Sequence, residues 1–489
     1  MMATLAATVM TLGDLLGSNA GTHGSVEITD LVLDSRQVTP GSAFVALPGT
    51  QEHGLSHAED ALRRGAAIII YEPASVFSSI PEFSIPIEGL SDRLGELARK
   101  FFWCDFSPQT VAGVTGTNGK STVAYLIAQA MNFTGAACGY VGTLGYGIPP
   151  DLKEHGLTTP DCLTLHREVR DLQSSYAAVE VSSHALAQDR ISGLNIPTAA
   201  FTNLSRDHLD YHGDLVSYGH AKAKLFQRSG LSQAVLNVDD PFAGTLIRGL
   251  PDDVTKISVS TRDSSADLFG QVLRADLDGI TIQISGFYGT ELIKSRLVGD
   301  FNGENLLLAL GVLSAWDITM ADACEVLSFC RTPPGRMEVF RGSADAPWVI
   351  VDYAHSPKAL ENALICLNSY SASETWCVFG CGGERDPGKR PLMGAVAAKL
   401  ADHVVLTNDN PRSEDPGKII AQIRSAITSH PDVIVEHDRK RAIVNAIGAA
   451  SPDDVVLIAG KGHEVLQEIG QHRHPFSDRS VVEAAMEGY

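Results

Sequence analysis

The chain has 489 residues, 44% of them hydrophobic and 20% charged; this exceeds what one core accommodates and predicts roughly two to four domains, three being the central expectation. A formal net charge of −20 argues against nucleic acid or an anionic membrane as a partner, since both favour a basic face. Eight scattered cysteines with no C-x-x-C pair, no Lys or Arg before Arg36 and no apolar run of membrane-spanning length predict a reduced, cytoplasmic protein with no signal peptide and no stable membrane association.

In chain order, continuous apolar runs fall at 66–70, 110–114, 177–181, 198–202 and 234–238, then at 348–351, 376–379, 403–407 and 455–459, with helix-like stretches between them. Unbroken rather than alternating hydrophobicity predicts parallel strands covered on both faces, hence an α/β fold. Breaks at DFSPQT (105–110) and RTPPGRME (331–338) divide the chain into 1–107, 108–332 and 333–489. Polar clusters follow the carboxyl ends of most runs, where open α/β sheets collect ligands.

The segment GVTGTNGKST, 113–122, misses the strict G-x-x-x-x-G-K-[ST] pattern because Val114 stands at the first glycine position. A glycine-rich turn from a buried strand into a helix still offers the backbone N–H groups of Gly116, Thr117, Asn118 and Gly119 to phosphate. Lys120 adds charge, Ser121 a magnesium-ligating hydroxyl, and Thr122 follows. The bland alternative is a tight turn that needs glycine only for its dihedrals.

In DLVSYGHAKAKLFQR, 214–228, helical periodicity puts Leu215, Tyr218, Leu225 and Phe226 on one stripe that includes Lys222 and excludes Lys224. Lys222 is then either a snorkelling lysine or one with a buried task. Glu180, in the strand AAVEV, needs a partner or a metal if it is buried. His208, in NLSRDHLDYHG, would on its own be an ordinary hydrogen-bonded loop histidine.

Together, GTNGKS after GVT, YGHAKAKLF and LTNDNPRSEDP resemble the Mur ligase family of muramyl-peptide ligases and their folylpolyglutamate synthetase relatives, from Leu31 to about Arg479. The resemblance implies an N-terminal α/β domain that binds a UDP substrate, a central P-loop ATPase domain with a mostly parallel sheet, and a C-terminal Rossmann-like α/β domain. The implied reaction uses ATP to join a carboxylate to an amine through an acyl phosphate. It also implies that Lys222 is carbamylated and, with Glu180 and His208, binds one of two Mg²⁺ ions, Ser121 helping the other.

By the same resemblance, Leu33, Ser35, Thr50, Gln51 and Glu52 contact the uridine diphosphate end. Thr158, Thr159, Ser182, Gln188 and Arg190 face the muramyl peptide, and Asn302, Asn305, Arg336, Asp352 and His355 approach the nucleotide. DNPR resembles the signature of members that add meso-diaminopimelate to UDP-N-acetylmuramoyl-L-alanyl-D-glutamate, so Asp409, Asn410, Pro411 and Arg412, with Arg385, Gly460 and Glu464, would hold that amino acid. An arginine fork reads a carboxylate plane; read without the family, the motif is an Asn-Pro surface turn. Leu157, Glu384 and Lys358 depart from common family residues. A monomer is expected. The rivals are L-lysine as the amine, a folylpolyglutamate-type acceptor, or a P-loop regulatory NTPase.

Overall fold

A computed structural model describes residues 9–49, 52–74, 81–104, 109–286, 289–343, 345–370, 373–428 and 432–487. Thr50, Gln51 and the expected 107/108 boundary lie outside the described residues. The chain forms two compact units, Met1–Ser258 and Val259–Tyr489.

The first unit opens with a parallel sheet of Asp30–Val32, Ser42–Ala46, Ile68–Tyr71 and Ser84–Pro86, in that order. Helix Leu90–Phe102 buries Leu90, Leu94, Leu97, Ala98 and Phe101 in its core, the three-to-four spacing of an amphipathic helix. A second sheet runs Cys138–Gly142, Tyr176–Glu180, Thr110–Thr115, Thr198–Phe201 and Gln233–Asn237, all parallel. Gly145–Ile148 and Asp151–Lys153 extend one edge antiparallel. The parallel strands are buried almost end to end, which explains their unbroken apolar runs. The two sheets are tied by Arg167, from helix Cys162–Asp171, which donates to Leu31 O (2.7 Å) and Asp30 Oδ1 (3.1 Å).

The second unit begins with an antiparallel meander, Leu268–Asp276, Gly279–Gly286 and Gly289–Ser295, backed by the largely buried helix Asn302–Ala315. No continuous apolar run marks this meander in the sequence. Its signal is alternation: Ile280, Ile282 and Ile284 are buried, while Thr281 and Gln283 are half-buried, the period of a strand with two unlike faces.

A six-stranded sheet follows, ordered Glu338–Phe340, Trp348–Asp352, Val455–Ala459, Thr375–Phe379, His403–Leu406 and Val433–Val435, parallel except for the first pair. Because Val455–Ala459, Thr375–Phe379 and His403–Leu406 are parallel neighbours, the loops after them emerge at one edge. Those loops carry Arg385, DNPR and GKGHE.

Candidate active site

The strand Thr110–Thr115 leaves the sheet through a turn that requires glycine. Gly116 has φ of 150°, and a Cβ there would sit 1.8 Å from Thr202 Oγ1. Neighbouring strand ends hold the turn: Thr202 Oγ1 donates to Asn118 O (2.5 Å), Thr117 N to Asn203 O (2.8 Å) and Asn118 N to Asn203 Oδ1 (3.0 Å). Gly119, at φ 83°, then starts helix Lys120–Phe133 without a side-chain cap, presenting the positive helix end that attracts anions.

Two lysines converge on this turn. Lys120 Nζ donates to Gly116 O (3.1 Å) and Thr117 O (2.9 Å), and Lys222 Nζ donates to the same Gly116 O (2.6 Å). Lys222 is 1% exposed, and its ammonium lies 4.3 Å from the Tyr218 ring centroid. Burial first, and the Lys120 charge second, push its pKa well below the usual lysine value. The stripe drawn from the sequence needs one correction. Tyr218, Lys222, Leu225 and Phe226 are buried, but Leu215 is 43% exposed, because the helix begins at Leu215 and gives way to a 3₁₀ turn at Lys224.

Glu180 ends its strand fully buried. Its carboxylate accepts from Ser121 Oγ (3.0 Å), Thr143 N (3.0 Å), Thr143 Oγ1 (3.2 Å) and the Tyr140 hydroxyl, the saturation that a buried carboxylate requires. Sequence reading missed Tyr140 and Thr143; a tyrosine inside the otherwise apolar run CGYVG was the available signal.

His208 is exposed at the surface, 3.4 Å from Asp207, with its ring near those of His184 (4.9 Å) and Tyr218 (6.2 Å). Tyr218 is therefore the common neighbour of His208 and Lys222, and its hydroxyl meets Thr117 Oγ1 (3.3 Å). Among the described residues no three His, Cys, Asp or Glu side chains group around a metal position. The residues named for magnesium include only two of those types, the rest being a hydroxyl and a lysine. The buried Glu180 carboxylate beside the Ser121 hydroxyl supplies the hard oxygen donors that Mg²⁺ favours, so these two fit the ion, whereas His208 is exposed and Lys222 turns its nitrogen to Gly116 O.

Beside this turn, Thr159 Oγ1 donates to Glu180 O (2.6 Å) and accepts from Ser182 N (3.0 Å), while the hydroxyls of Thr158 and Thr143 share a hydrogen bond (3.0 Å). Ser182 Oγ caps helix Ser183–Ala187. Arg190 donates to Thr159 O (2.8 Å) and twice to Gln188 Oε1, and Gln188 Nε2 donates to Tyr211 (3.1 Å). These residues form one polar strip. In the N-terminal sheet region, Leu33 packs on the core, Ser35 Oγ donates to Asp60 Oδ2 (3.1 Å) and Glu52 pairs with His57 (3.1 Å).

In the second unit, Asn302 Nδ2 donates to Val298 O (2.8 Å) and Asn305 Nδ2 to Asn302 Oδ1 (2.8 Å). Arg336 lies over the Tyr353 ring (4.6 Å), and its buried Nε has no hydrogen-bond partner among the described residues. Asp352 Oδ2 accepts from Met337 N (2.8 Å), and burial raises its pKa against the opposing charge of Arg336. His355 Nδ1 bonds Tyr353 O (2.9 Å).

At the three-loop edge, Arg412 sits at φ 51°, a conformation uncommon for a long side chain and a frequent mark of functional loops. Its Nε donates to Glu468 Oε2 (2.8 Å) and its Nη1 to Gly383 O (2.8 Å). Asn410 Nδ2 donates to Glu464 Oε2 (2.9 Å). A Cβ on Gly460 would come 2.8 Å from Asp409 Oδ2, so Asp409, Asn410, Arg412, Gly460 and Glu464 share one neighbourhood, while Arg385 is exposed beside it.

A glycine turn at the carboxyl edge of parallel strands, flanked by two lysines and a buried carboxylate, defines an α/β protein of the nucleotide-loop class. Three family models match in succession: the Mur ligase family catalytic domain at 27–102, the Mur ligase middle domain at 114–313 and the Mur ligase glutamate ligase domain at 335–462. The chain belongs to the Mur ligase family. It is 46% identical to UDP-N-acetylmuramoyl-L-alanyl-D-glutamate--2,6-diaminopimelate ligase of Xanthomonas campestris pv. campestris (strain 8004), over 94% of both chains. The protein of that name from Pseudomonas aeruginosa PAO1 is 44% identical over 94% of this chain and 95% of its own. A solved structure of a ligase of the same name matches with a TM-score of 0.71 at 36% identity, covering 98% of this chain and 99% of the other. The MurF ligase from Thermotoga maritima in complex with ADP shares the fold at 20% identity, with a TM-score of 0.62 over 88% of this chain and 93% of the other.

Proposed function

We propose that this chain is an ATP-dependent ligase that joins meso-2,6-diaminopimelate by an amide bond to the D-glutamate carboxylate of UDP-N-acetylmuramoyl-L-alanyl-D-glutamate, a step in peptidoglycan precursor synthesis. The observation that carries the reading is the meeting of Lys120, Lys222, Ser121 and Glu180 at one glycine turn.

A carboxylate and an ammonium in water form a salt, so the acid needs activation. The D-glutamate carboxylate takes the γ-phosphoryl group of ATP, giving ADP and an acyl phosphate; the amine, having lost a proton, adds to the acyl carbon, and phosphate leaves. Because phosphoryl transfer asks the protein mainly for positioning and charge stabilisation, the turn 116–122 cradles the phosphates and Lys120 draws their charge. Asn302, Asn305, Arg336, Asp352 and His355 serve the nucleotide.

Lys222, held as a free amine by burial, adds to CO₂ and releases a proton, leaving a carbamate. That carbamate, Glu180 and His208 would hold one Mg²⁺, and Ser121 would help hold a second. Bound magnesium supplies positive charge against the repulsion between phosphate and carboxylate oxygens.

Leu33, Ser35, Thr50, Gln51 and Glu52 hold the UDP end, and Thr158, Thr159, Ser182, Gln188 and Arg190 hold the peptide. Arg412, Arg385, Asp409, Asn410, Pro411, Gly460 and Glu464 take the far amino-acid end of diaminopimelate. L-Lysine lacks the far carboxylate, so Arg412, already paired with Glu468 and Gly383 O, would find no acceptor for Nη2, a basis for rejection. The reading keeps the division 1–107, 108–332 and 333–489 and includes a cytoplasmic monomer; none of the eight cysteines is in a disulfide, in keeping with a reducing compartment. Among the described residues no helix is long and apolar enough to cross a membrane.

The test is phosphate release with ATP and the UDP-dipeptide, comparing meso-diaminopimelate, L-lysine and no amine. Release is expected with diaminopimelate alone. Equal release without amine would instead indicate a nucleotide hydrolase.

A further inference from the structure

Lys461 was given no role by its sequence, yet its ammonium is among the most enclosed groups in the second unit, with an exposure of 0%. Its Nζ donates to Asn410 Oδ1 (2.9 Å), Glu464 Oε2 (2.7 Å) and Leu466 O (2.8 Å). An ammonium has three N–H donors, so all three are engaged and none remains for a substrate.

The consequence lies in the partners. Asn410 Oδ1 also accepts from Glu468 N (3.0 Å). An ammonium and a backbone amide can only donate, so together they force the Asn410 amide to turn its oxygen toward them and its Nδ2 toward Glu464 Oε2. Glu464 Oε2 therefore takes two donors, from Lys461 and Asn410. Its other oxygen, Oε1, accepts no hydrogen bond among the described residues, and the side chain is 31% exposed. A carboxylate anchored through one oxygen and open at the other is preset for a ligand ammonium.

We propose that Lys461 is a positioning residue for the amine substrate: through the Asn410 amide it fixes Glu464 so that the free carboxylate oxygen meets the distal ammonium of a diamino acid. The inference rests on the ligase reading above and adds to it the group that orders the pocket. Lys461 acts through Asn410 and Glu464 and touches no reacting atom.

The test uses the full-length enzyme and separate KM and kcat values for ATP, the UDP-dipeptide and meso-diaminopimelate. Lys461→Met is expected to raise the KM for diaminopimelate by about 10–100-fold, the usual size of a lost supporting partner, with the other two KM values within about twofold. Glu464→Gln should show the same pattern, and the double variant should be no worse than the worse single, because both remove one arrangement. Asn410→Asp keeps acceptors for Lys461 and Glu468 N but sets a carboxylate against Glu464; it should reproduce the rise and covers the case in which Lys461→Met does not fold. A wild-type diaminopimelate KM in either Lys461→Met or Asn410→Asp, an equal rise in all three KM values, or full additivity with Glu464→Gln would overturn the proposal. Wild-type enzyme that releases no phosphate with diaminopimelate refutes the substrate reading instead, so the two failures are told apart.

Discussion

Lys120 and Lys222 donate to one acceptor, the carbonyl oxygen of Gly116, at 3.1 and 2.6 Å. Two ammonium groups on one oxygen repel, and Lys222 is the buried one; burial first and the Lys120 charge second lower its pKa well below the usual lysine value. Lys222→Ala is expected to lower turnover by about 10²–10³-fold, the range for removing one charge-stabilising group, with partial rescue by short carboxylic acids that replace the carbamate oxygens. Phosphate release measured with and without added acetate checks this; full activity in the variant would refute the metal-ligand role.

The same lysine predicts a stability effect of known sign. A base whose folded pKa lies below its unfolded value, about 10.4 for lysine, binds fewer protons when folded, so in an enzyme kept free of CO₂ stability rises with pH between the lowered value and about 10.4. Lys222→Met should remove that slope while stabilising the fold near neutral pH. Urea midpoints across pH decide it; parallel curves for the two proteins would refute the buried, depressed amine.

Gly116→Ala tests the turn. Its Cβ would fall 1.8 Å from Thr202 Oγ1 in a backbone conformation that alanine avoids, so the loop must shift or Thr202 must move. The KM for ATP should rise at least about tenfold, since one misplaced phosphate contact is worth about 1.4 kcal/mol or more. Gly116→Ala combined with Thr202→Ser should stay impaired, because the oxygen that meets the new Cβ remains; nucleotide titration by isothermal calorimetry reads both.

Arg412 and Glu468 give a specificity prediction. The ion pair spends Nε, and Gly383 O takes Nη1, which leaves Nη2 for the distal carboxylate of diaminopimelate. Arg412→Ala is expected to raise the KM for diaminopimelate by roughly 30-fold or more, the cost of leaving a charge without its partner, and to spare the UDP-dipeptide. Competition between diaminopimelate and L-lysine supplies the readout; unchanged preference would remove Arg412 from the specificity pocket.

His403 stacks on Trp376, with centroids 3.9 Å apart at 15°, between the carboxylates of Glu374 (2.8 Å) and Asp432. Burial alone lowers its pKa, but the bonds to the two carboxylates, together with their charges, outweigh that and raise it. The contribution is fully present below the unfolded value of about 6.5 and is lost as pH rises through the folded value. An NMR titration of the His403 ring should show its midpoint above about 6.5, and His403→Gln should flatten stability just above that pH. A midpoint below 6.5 would sink the argument.

Much of the α/β plan was legible because parallel strands are covered on both faces and so betray themselves by unbroken apolar runs; the runs at 110–114, 376–379 and 455–459 lie on strands, and the run at 177–181 overshoots its strand by one residue. The meander 268–295 escaped because half of each strand faces outward. Helical phase placed Lys222 on the stripe but left open whether it snorkels, and Leu215, on the same phase, is exposed because the stripe reaches the helix end.

Local sequence determined the glycine turn, the helix that follows it and the residue types able to hold phosphate, since these depend on backbone dihedrals and near neighbours. Tertiary structure alone decided which distant groups meet: Gly116 with Thr202, Glu180 with Tyr140 and Thr143, Lys461 with Asn410. The physical reason is that a buried polar group must be satisfied, and its partner is chosen by how strands and loops pack in space rather than by spacing along the chain.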